Sequence, residues 1–254
     1  MLVDQRGWAQ IRVTGGDRQR FLQGMLTNDV AALAPGGWQR AAILNVKGRV
    51  LAVVDVVHEG ESFLLLAEEG LGDKVHQILD RHAIADDVAF ARESRPLHRV
   101  WGSAADVWSA PPIFAELPGP AAAAEELEIL RVEAGMPAYG ADVSEDYFPF
   151  EANLDSAISM TKGCYTGQEV VARASARGQA NKRLVGLRLA APAQTRAPIS
   201  ADVRPEAGLV TSVAVSPRLG PIALGYVHRT VWEPGTTVRV AGEPATVTAL
   251  PFTA

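Results

Sequence analysis

The residues best suited to chemistry lie in one segment, residues 161–173, which contains the chain's only cysteine, Cys164. Lys162 lies two positions before this cysteine, and a helix is predicted to begin a few residues after it. A neighbouring ammonium group and the partial positive charge of a helix N-terminus both favour a thiolate, which is the reactive form of cysteine. The alternative is that Cys164 is a small buried apolar residue, as many lone cysteines are.

The helix in this segment is predicted from its terminal signals. Thr166 and Glu169 have the spacing of a capping box, in which the two side chains bond to backbone N–H groups of the first turn. Gly178 is a residue that commonly ends a helix. The pattern therefore predicts a helix from residue 167 to about residue 177, with the cysteine just outside its N-terminus.

Two stretches of opposite charge adjoin in the sequence. Residues 141–155 have no basic residue and five acidic ones, which are Asp142, Glu145, Asp146, Glu151 and Asp155. Residues 161–183 have Glu169 as their one acidic residue, and their basic residues are Lys162, Arg173, Arg177, Lys182 and Arg183. Ordinary surface charge explains such a pattern. The alternative is a ligand with N–H donors at one end and carboxylates at the other.

Folates have this bipolar form. One carboxylate accepts the adjacent N–H and amine groups of a pterin ring, and Arg or Lys binds the glutamyl tail. Glu133, near the end of a predicted helix with an apolar face, is the carboxylate best placed to be half-buried. The alternative is that Glu133 lies on the surface and pairs with Arg131 or another neighbour. If a folate binds, we expect Glu133 and the Cys164 loop to line one shared cavity.

Composition excludes several classes of function. The 254 residues carry a formal charge of −5 and are 48% hydrophobic, which fits a globular chain without a general affinity for polyanions. A lone cysteine excludes an internal disulfide and indicates a cytoplasmic location. The longest apolar run, residues 50–57, is far shorter than the roughly 20 residues of a membrane span. Phosphate-loop, serine-elbow and Rossmann motifs are missing, and the scattered histidines predict no metal site.

Apolar periodicity predicts an α+β protein. Residues 8–91 alternate between strand-like and helix-like patterns in the order β-α-β-β-β-α-β, a ferredoxin-like unit with helices on one face of a mainly antiparallel sheet. A proline-rich connection and a helix over residues 125–134 follow. The last 72 residues, with short Val- and Thr-rich runs between turns, predict a small antiparallel barrel. We therefore expect a region at 1–182, with subdomains 1–95 and 96–182, and a barrel domain at 183–254.

Several motifs together resemble those of one known family, the YgfZ-type folate-binding proteins, which are relatives of the glycine-cleavage T-protein (aminomethyltransferase). The octet Lys-Gly-Cys-Tyr-Thr-Gly-Gln-Glu at 162–169 is the most specific of them. The other similar segments lie at 16–18, 21–24, 26–30, 45–51, 131–137, 151–155, 210–212, 216–217, 222–227 and 250–252. The resemblance covers essentially the whole chain.

This resemblance implies a GcvT-like folate-binding fold with a second α+β subdomain and a C-terminal antiparallel β-barrel. It also implies tetrahydrofolate or a one-carbon derivative as the cofactor, and a role with iron–sulfur enzymes or assembly proteins, including those that modify tRNA. Glu133 corresponds to the glutamate that binds the pterin. The family motifs supply the other candidate binding residues, Asn28, Lys162, Tyr165, Gln168 and Arg173. Cys164 is the candidate reactive thiol.

One departure from the T-protein pattern bears on catalysis. The aminomethyltransferases have adjacent aspartates in the hairpin after the glycine pair, one of them catalytic, and this chain has Ala52 and Val53 there. Without that carboxylate, transfer chemistry loses its acid/base partner at the folate nitrogen. Asp55 follows two positions after Val53 and is predicted to share its strand face.

Two other functions remain open. The first is a folate-dependent aminomethyl or one-carbon transferase in which Asp55 or Asp29 supplies the carboxylate. The second is a tRNA contact made by Arg173, Arg177 and Arg183, which would give salt-dependent RNA binding.

Overall fold

A computed structural model describes residues 1–102, 109–176 and 180–252. No helix among these residues is long and apolar enough to cross a membrane. The strands are β1 (Leu2–Asp4), β2 (Ala9–Thr14), β3 (Trp38–Leu44), β4 (Val50–His58), β5 (Phe63–Ala67), β6 (Ala89–Glu93), β7 (His98–Val100), β8 (Lys182–Leu189), β9 (Pro198–Ala201), β10 (Arg204–Ser216), β11 (Gly220–His228), β12 (Thr237–Val240) and β13 (Glu243–Thr248). The helices are α1 (Arg18–Met25), α2 (Gly72–His82), α3 (Ala124–Glu133) and α4 (Gln168–Ala176).

The N-terminal unit is an antiparallel five-stranded sheet with the strand order β3-β4-β5-β2-β6. Its elements follow the predicted β-α-β-β-β-α-β order from β2 to β6. One sheet face packs against both helices of the unit. Phe21 and Leu22 of α1 and Val75 and Leu79 of α2 are buried there together with the sheet residue Val54. The predicted α+β fold class is confirmed.

The second region joins the N-terminus to α3. Strands β1 and β7 form a two-stranded antiparallel sheet, and a small apolar cluster beneath it contains Val3, Trp101, Ala134 and Met136. Gly135 lies two residues after the end of α3, and its φ of +67° is the left-handed conformation that glycine commonly adopts just past helix C-termini. The predicted α3 is therefore confirmed to within one residue at each end.

The C-terminal region is a closed antiparallel barrel of six strands, in the order β10-β11-β8-β13-β12-β9. Alternate valines and leucines fill its interior, among them Leu187, Val227 and Val247. A further apolar cluster lies between the barrel, the sheet and α3, and includes Val132 and Tyr226. The predicted C-terminal barrel is confirmed.

Asp17 stands ahead of the apolar residues Phe21, Leu22 and Met25 and predicts a helix N-cap there. Neither this cap nor the predicted capping box at Thr166 forms its side-chain bonds. The Asp17 side chain makes no cap bond to α1, and its carboxylate instead accepts the N–H of Asp87, 2.9 Å away. The N–H of Thr166 donates to the carbonyl of Gly24 at 3.0 Å, and the carboxylate of Glu169 pairs with Arg173, so the predicted capping box does not form. Helix α4 still begins directly after Gly167, but the predicted end at 177–178 lies outside the described residues.

Candidate functional site

Glu133 is the last residue of α3 and is buried, with 4% of its surface exposed. Its carboxylate accepts hydrogen bonds from the Ser216 hydroxyl and from Nη2 of Arg218, which is 2.8 Å from Oε2. Both partners lie at the turn between β10 and β11. The Arg218 side chain is 54% exposed, so this ion pair joins a buried acid to a cation at the surface.

Arg131, the partner suggested for Glu133 by their nearness in sequence, binds elsewhere. Its guanidinium pairs with Glu128 and Asp142, both at 2.6 Å, and donates to the Ser212 hydroxyl at 2.7 Å. These charges, although opposed by burial, keep the pKa of Arg131 above its ordinary value. The interpretation of Glu133 as a surface residue paired with Arg131 is therefore wrong.

The octet segment packs against the hairpin that joins β3 to β4. A side chain on Gly167 would come within 2.5 Å of the Asn45 carbonyl, and the φ of Gly167 is +82°, so only glycine suits both the contact and the backbone. A side chain on Gly48 of the hairpin would in turn approach Val170 and Val171 of α4 to 3.3 Å. These glycines let the segment and the hairpin lie in direct backbone contact.

Lys162 is buried and holds the end of α1. Its ammonium group donates to the carbonyl oxygens of Gln23 and Leu26 at 2.7 Å and of Asn28 at 2.9 Å. Burial lowers the pKa of Lys162 to about 8, against the opposing attraction of Asp29. Its three donors are already used by the backbone. The lysine therefore positions the loop after α1 in this structure, and its binding of a ligand tail remains a prediction.

Replacing Lys162 with methionine removes the donor that these three carbonyl groups share. Since buried acceptors that lose their partner carry their full desolvation penalty, we expect a loss of about 2 to 4 kcal/mol in the free energy of unfolding, measured by urea denaturation. Lys47→Met, in the exposed β3–β4 turn, is the control and should change this free energy by less than about 0.5 kcal/mol. Equal stability of the two variants would contradict the structural role of Lys162.

The remaining octet residues differ in exposure. Cys164 is a free thiol and is exposed, so its interpretation as a buried apolar residue is wrong. Tyr165 is buried in the apolar cluster against the barrel, and burial raises the pKa of its hydroxyl. Gln168 is half-buried and is the first residue of α4. The reactive role of Cys164 and the binding roles of Tyr165 and Gln168 remain predictions.

Asn28 lies in the loop that Lys162 holds. Its side-chain amide donates to the Arg40 carbonyl at 2.8 Å and to the Ser156 carbonyl at 3.3 Å. Asp29 accepts a bond from the side-chain amide of Gln23 at 2.9 Å. The structure thus brings Asn28 and Lys162 together, since the ammonium group of Lys162 binds the Asn28 carbonyl.

The basic residues proposed to contact tRNA or a folate tail occupy separate positions. Arg173 is exposed on α4 and pairs with Glu169 one turn earlier. Arg183 pairs with Asp155 at 3.0 Å. Arg177 lies outside the described residues. Surface pairs of this kind exchange easily with solvent, so both described guanidiniums remain available to anions.

The positions of the T-protein aspartates are apolar in this structure. Ala52 is buried toward the helices, and Val53 faces the cluster against the barrel. Asp55 is 1% exposed and is held by Arg40 at 2.8 Å and by Arg99 at 2.6 Å. Burial opposes its ionisation, but the two guanidiniums outweigh that effect and lower the pKa of Asp55. Its carboxylate is thus committed to an internal ion triad.

Five of the cavities formed by the described residues, with volumes of about 220 to 420 Å³, are lined by neither Glu133 nor Cys164. The hydrogen-bond partners of the Glu133 carboxylate lie in the barrel turn, whereas the octet contacts α1 and the β3–β4 hairpin. A cavity shared by Glu133 and the Cys164 loop therefore stays a prediction.

Sequence reasoning missed the two residues that hold Glu133. Ser216 and Arg218 follow it by 83 and 85 positions. Ser216 and Pro217 belong to a family motif, and nothing in their local pattern indicates a contact with a glutamate. Arg99, which is buried and binds Asp55, was likewise missed, because its strand reads as part of an irregular proline-rich connection.

Comparison with known proteins places the fold in one class. The family profile described as the glycine cleavage T-protein C-terminal barrel domain matches residues 182–253. The solved aminomethyltransferase T of the glycine cleavage system from Bartonella henselae superposes with a TM-score of 0.83 at 23% identity, over 99% of this chain and 86% of that one. The chain therefore has the fold of the glycine-cleavage aminomethyltransferases.

Relatives in sequence define the family within that class. The tRNA-modifying protein YgfZ of Yersinia pseudotuberculosis is 31% identical over 228 residues, which cover 72% of this chain and 68% of that protein. An aminomethyltransferase of Saccharopolyspora erythraea is 42% identical over 136 residues, but these span only 49% of this chain and 36% of that enzyme. The chain belongs to the YgfZ family.

Proposed function

We propose that this protein binds tetrahydrofolate, or a one-carbon derivative of it, and acts in the cytoplasm as an accessory factor for iron–sulfur enzymes, including those that modify tRNA. Relatives named as tRNA-modifying proteins support the general role. The observation that carries the folate proposal is the buried carboxylate of Glu133 at the end of α3.

The bonding of Glu133 suits a pterin ring. An ionised carboxylate accepts about four hydrogen bonds, and the structure shows one at each oxygen, from Ser216 and Arg218. Each oxygen therefore retains an acceptor position, as the adjacent N–H and amine groups of a pterin require. Because Arg218 is half-exposed, its guanidinium can turn away to admit a ligand.

Of the two cations proposed for the folate tail, Lys162 and Arg173, the described part of the structure leaves only Arg173 free of backbone partners. Lys162 uses its donors on three backbone carbonyls, so we assign it the positioning of the Asn28 loop. Arg173, whose partner is an exposed glutamate, remains a candidate for the tail carboxylates. Arg218 contacts the carboxylate of Glu133 itself, so it lies at the pterin end of the proposed site rather than at the tail.

The contacts of Asp55 and Asp29 support the alternative proposal, a one-carbon transferase, less well than the accessory role. Asp55 is enclosed by two guanidiniums with 1% exposure, so it does not reach a ligand without breaking the triad. Asp29 bonds with Gln23 and the backbone of its own loop. Apolar side chains at Ala52 and Val53 cannot supply the missing acid/base group.

Cys164 supplies the chemistry of the iron–sulfur role in this proposal. The sequence contains a single cysteine, so the chain offers one thiolate ligand, whereas clusters are usually held by four ligands. An exposed thiol can bind a cluster or sulfur carrier only together with groups from partner proteins. We therefore propose iron–sulfur enzymes or assembly proteins as its partners.

Replacing Cys164 with serine should separate function from folding. Because the side chain is exposed, we expect the free energy of unfolding to change by less than about 0.5 kcal/mol. In cells that lack the native chain, the variant should fail to restore the level of tRNA modifications made by iron–sulfur enzymes, measured by mass spectrometry of tRNA nucleosides. Full restoration by the variant would remove the thiol from the mechanism.

The direct test of the folate proposal is a calorimetric titration of the purified protein with tetrahydrofolate. Saturable binding with one site per chain is the expected result. An absence of binding at millimolar tetrahydrofolate would refute the cofactor proposal while leaving the family membership unchanged. The contribution of Glu133 to that binding is argued in the Discussion.

A further inference from the structure

The guanidinium of Arg218 lies between the buried carboxylate of Glu133 and solvent. The Glu133 side chain is 5% exposed, whereas the Arg218 side chain is 54% exposed, and its Nη2 is 2.8 Å from Oε2 of the glutamate. A ligand that approaches the carboxylate from this side therefore meets Arg218 as well.

The turn that carries Arg218 is fixed to Glu133 by Ser216. The Ser216 hydroxyl donates to Oε1 of Glu133 and accepts the backbone N–H groups of Arg218 at 3.1 Å and of Leu219 at 3.0 Å. These bonds hold the Arg218 backbone beside the carboxylate, while the exposed ion pair leaves its side chain free to move. The guanidinium can therefore leave Oε2 and still remain next to Glu133.

Arg218 has donors to spare for a ligand. A guanidinium has five N–H donors and no acceptor. Within residues 1–102, 109–176 and 180–252, the guanidinium of Arg218 makes one hydrogen bond, from Nη2 to Glu133. Its Nε and Nη1 groups therefore remain for a ligand atom, and that atom must be an acceptor.

The hydrogen-bonding edge of a 2-amino-4-oxopteridine matches this pair of side chains. Along that edge, an amino group and a ring N–H are donors, and the adjoining 4-oxo oxygen is an acceptor. A carboxylate matches the two donors, and a guanidinium matches the oxygen in a charge-assisted bond. A 2,4-diaminopteridine carries an amino group in place of that oxygen, so its donor would face a side chain that only donates.

We propose that Arg218 determines specificity at the proposed pterin site by donating to the 4-oxo oxygen of the ring, which disfavours 2,4-diaminopteridines. On binding, the guanidinium exchanges the carboxylate of Glu133 for this neighbouring oxygen. The inference rests on the proposed binding of tetrahydrofolate at Glu133, and it adds the residue that recognises the third group of the ring edge.

Calorimetric titration of the full chain with tetrahydrofolate and with its 2,4-diamino analogue, tetrahydroaminopterin, tests this role. The measured quantity is the ratio of the two dissociation constants, because a loss of structure weakens both ligands alike. The native chain should prefer tetrahydrofolate. Arg218→Met should reduce that preference roughly 10- to 100-fold, as expected for the loss of one charge-assisted hydrogen bond.

Two further variants separate the donor role of Arg218 from a general effect of charge. Arg218→Lys retains a cation with N–H donors, so it should restore part of the preference for tetrahydrofolate. Arg229→Met removes an exposed arginine just after the far end of β11 and should keep the ratio of the native chain.

The outcomes for Arg218 and for the folate proposal are distinguishable. If tetrahydrofolate binds but Arg218→Met gains no relative affinity for the diamino analogue, the role of Arg218 is refuted and the folate proposal stands. Undetectable binding of the analogue to both chains counts as no gain. An absence of tetrahydrofolate binding to the native chain would refute the folate proposal and this inference with it.

Discussion

Replacing Asp55 with alanine is expected to lower the free energy of unfolding by at least about 3 kcal/mol, because two buried guanidiniums lose the carboxylate between them. Arg40 is 2.8 Å and Arg99 is 2.6 Å from that carboxylate, and all three side chains are nearly excluded from solvent. Equilibrium urea denaturation of the native chain and the variant measures the difference. Since domains are commonly stable by only about 5 to 15 kcal/mol, such a loss is a large part of the total.

A surface ion pair in the same unit provides the control for this measurement. Asp86 contacts Arg20 at 2.6 Å, and the Arg20 side chain is 67% exposed. We expect Asp86→Ala to change the free energy of unfolding by no more than about 1 kcal/mol. If Asp55→Ala were no more destabilising than Asp86→Ala, the buried triad would not be an important part of the fold.

The triad also predicts how stability depends on pH. Burial works against ionisation of Asp55, but Arg40 and Arg99 prevail and hold its pKa below the ordinary value. A carboxylate with a lowered folded-state pKa stabilises fully above its unfolded pKa of about 3.9, and that contribution is lost as the pH falls below it. The native chain should therefore lose more stability than Asp55→Asn between about pH 4 and pH 2.

This stability effect changes how a transferase assay must be read. Loss of activity in Asp55→Ala would not identify a catalytic carboxylate, because the same substitution is expected to destabilise the N-terminal sheet. Introducing aspartate at Val53, which faces the cluster against the barrel, would instead ask whether a carboxylate at the T-protein position restores transfer.

The N-terminal unit was predictable because its signals are local. Strand β4 combines an apolar face toward the helices with a sharp preceding turn at Gly48, whose φ is +74°. The apolar stripe of α2, with Val75 and Leu79 buried, is likewise visible in a short window. Such patterns depend on neighbours in sequence, so periodicity alone placed these elements in the correct order.

Helix caps were harder to predict because tertiary bonds compete with local ones. The backbone N–H of Thr166 binds the carbonyl of Gly24, far away in sequence, and is therefore not available to Glu169. Asp17 similarly bonds with the backbone of Asp87. In both cases the sequence correctly indicated where a helix starts, but not the partners of the side chains.

The partners of the candidate site residues were harder still to predict, because they lie far away in sequence. Lys162 reaches carbonyls that precede it by 134 to 139 positions, and Glu133 binds residues more than 80 positions after it. The residue types indicated charge and hydrogen bonding, but only the packing of the barrel turn on α3 decides which atoms meet. For this reason the sequence could not show whether these residues line one pocket, and the shared pocket stays a prediction.

Replacing Glu133 with alanine is expected to weaken tetrahydrofolate binding roughly 30- to 1000-fold, equivalent to about 2 to 4 kcal/mol. The proposed pterin edge donates two hydrogen bonds to this buried carboxylate, and charge-assisted bonds of that kind are the strongest that a neutral ring makes. Calorimetric titration compares the native chain with the variant. The effect should greatly exceed that of Glu125→Gln, a glutamate exposed on the same helix.

Loss of binding must be separated from loss of structure, because Glu133 also holds Ser216 and Arg218 of the barrel turn. Glu133→Gln retains the size of the side chain and a hydrogen bond to Ser216, so its unfolding midpoint should stay close to that of the native chain. It lacks one carboxylate oxygen and the charge, so tetrahydrofolate binding should still fall at least roughly 10-fold. Native affinity in a stably folded Glu133→Gln variant would exclude Glu133 as the pterin ligand.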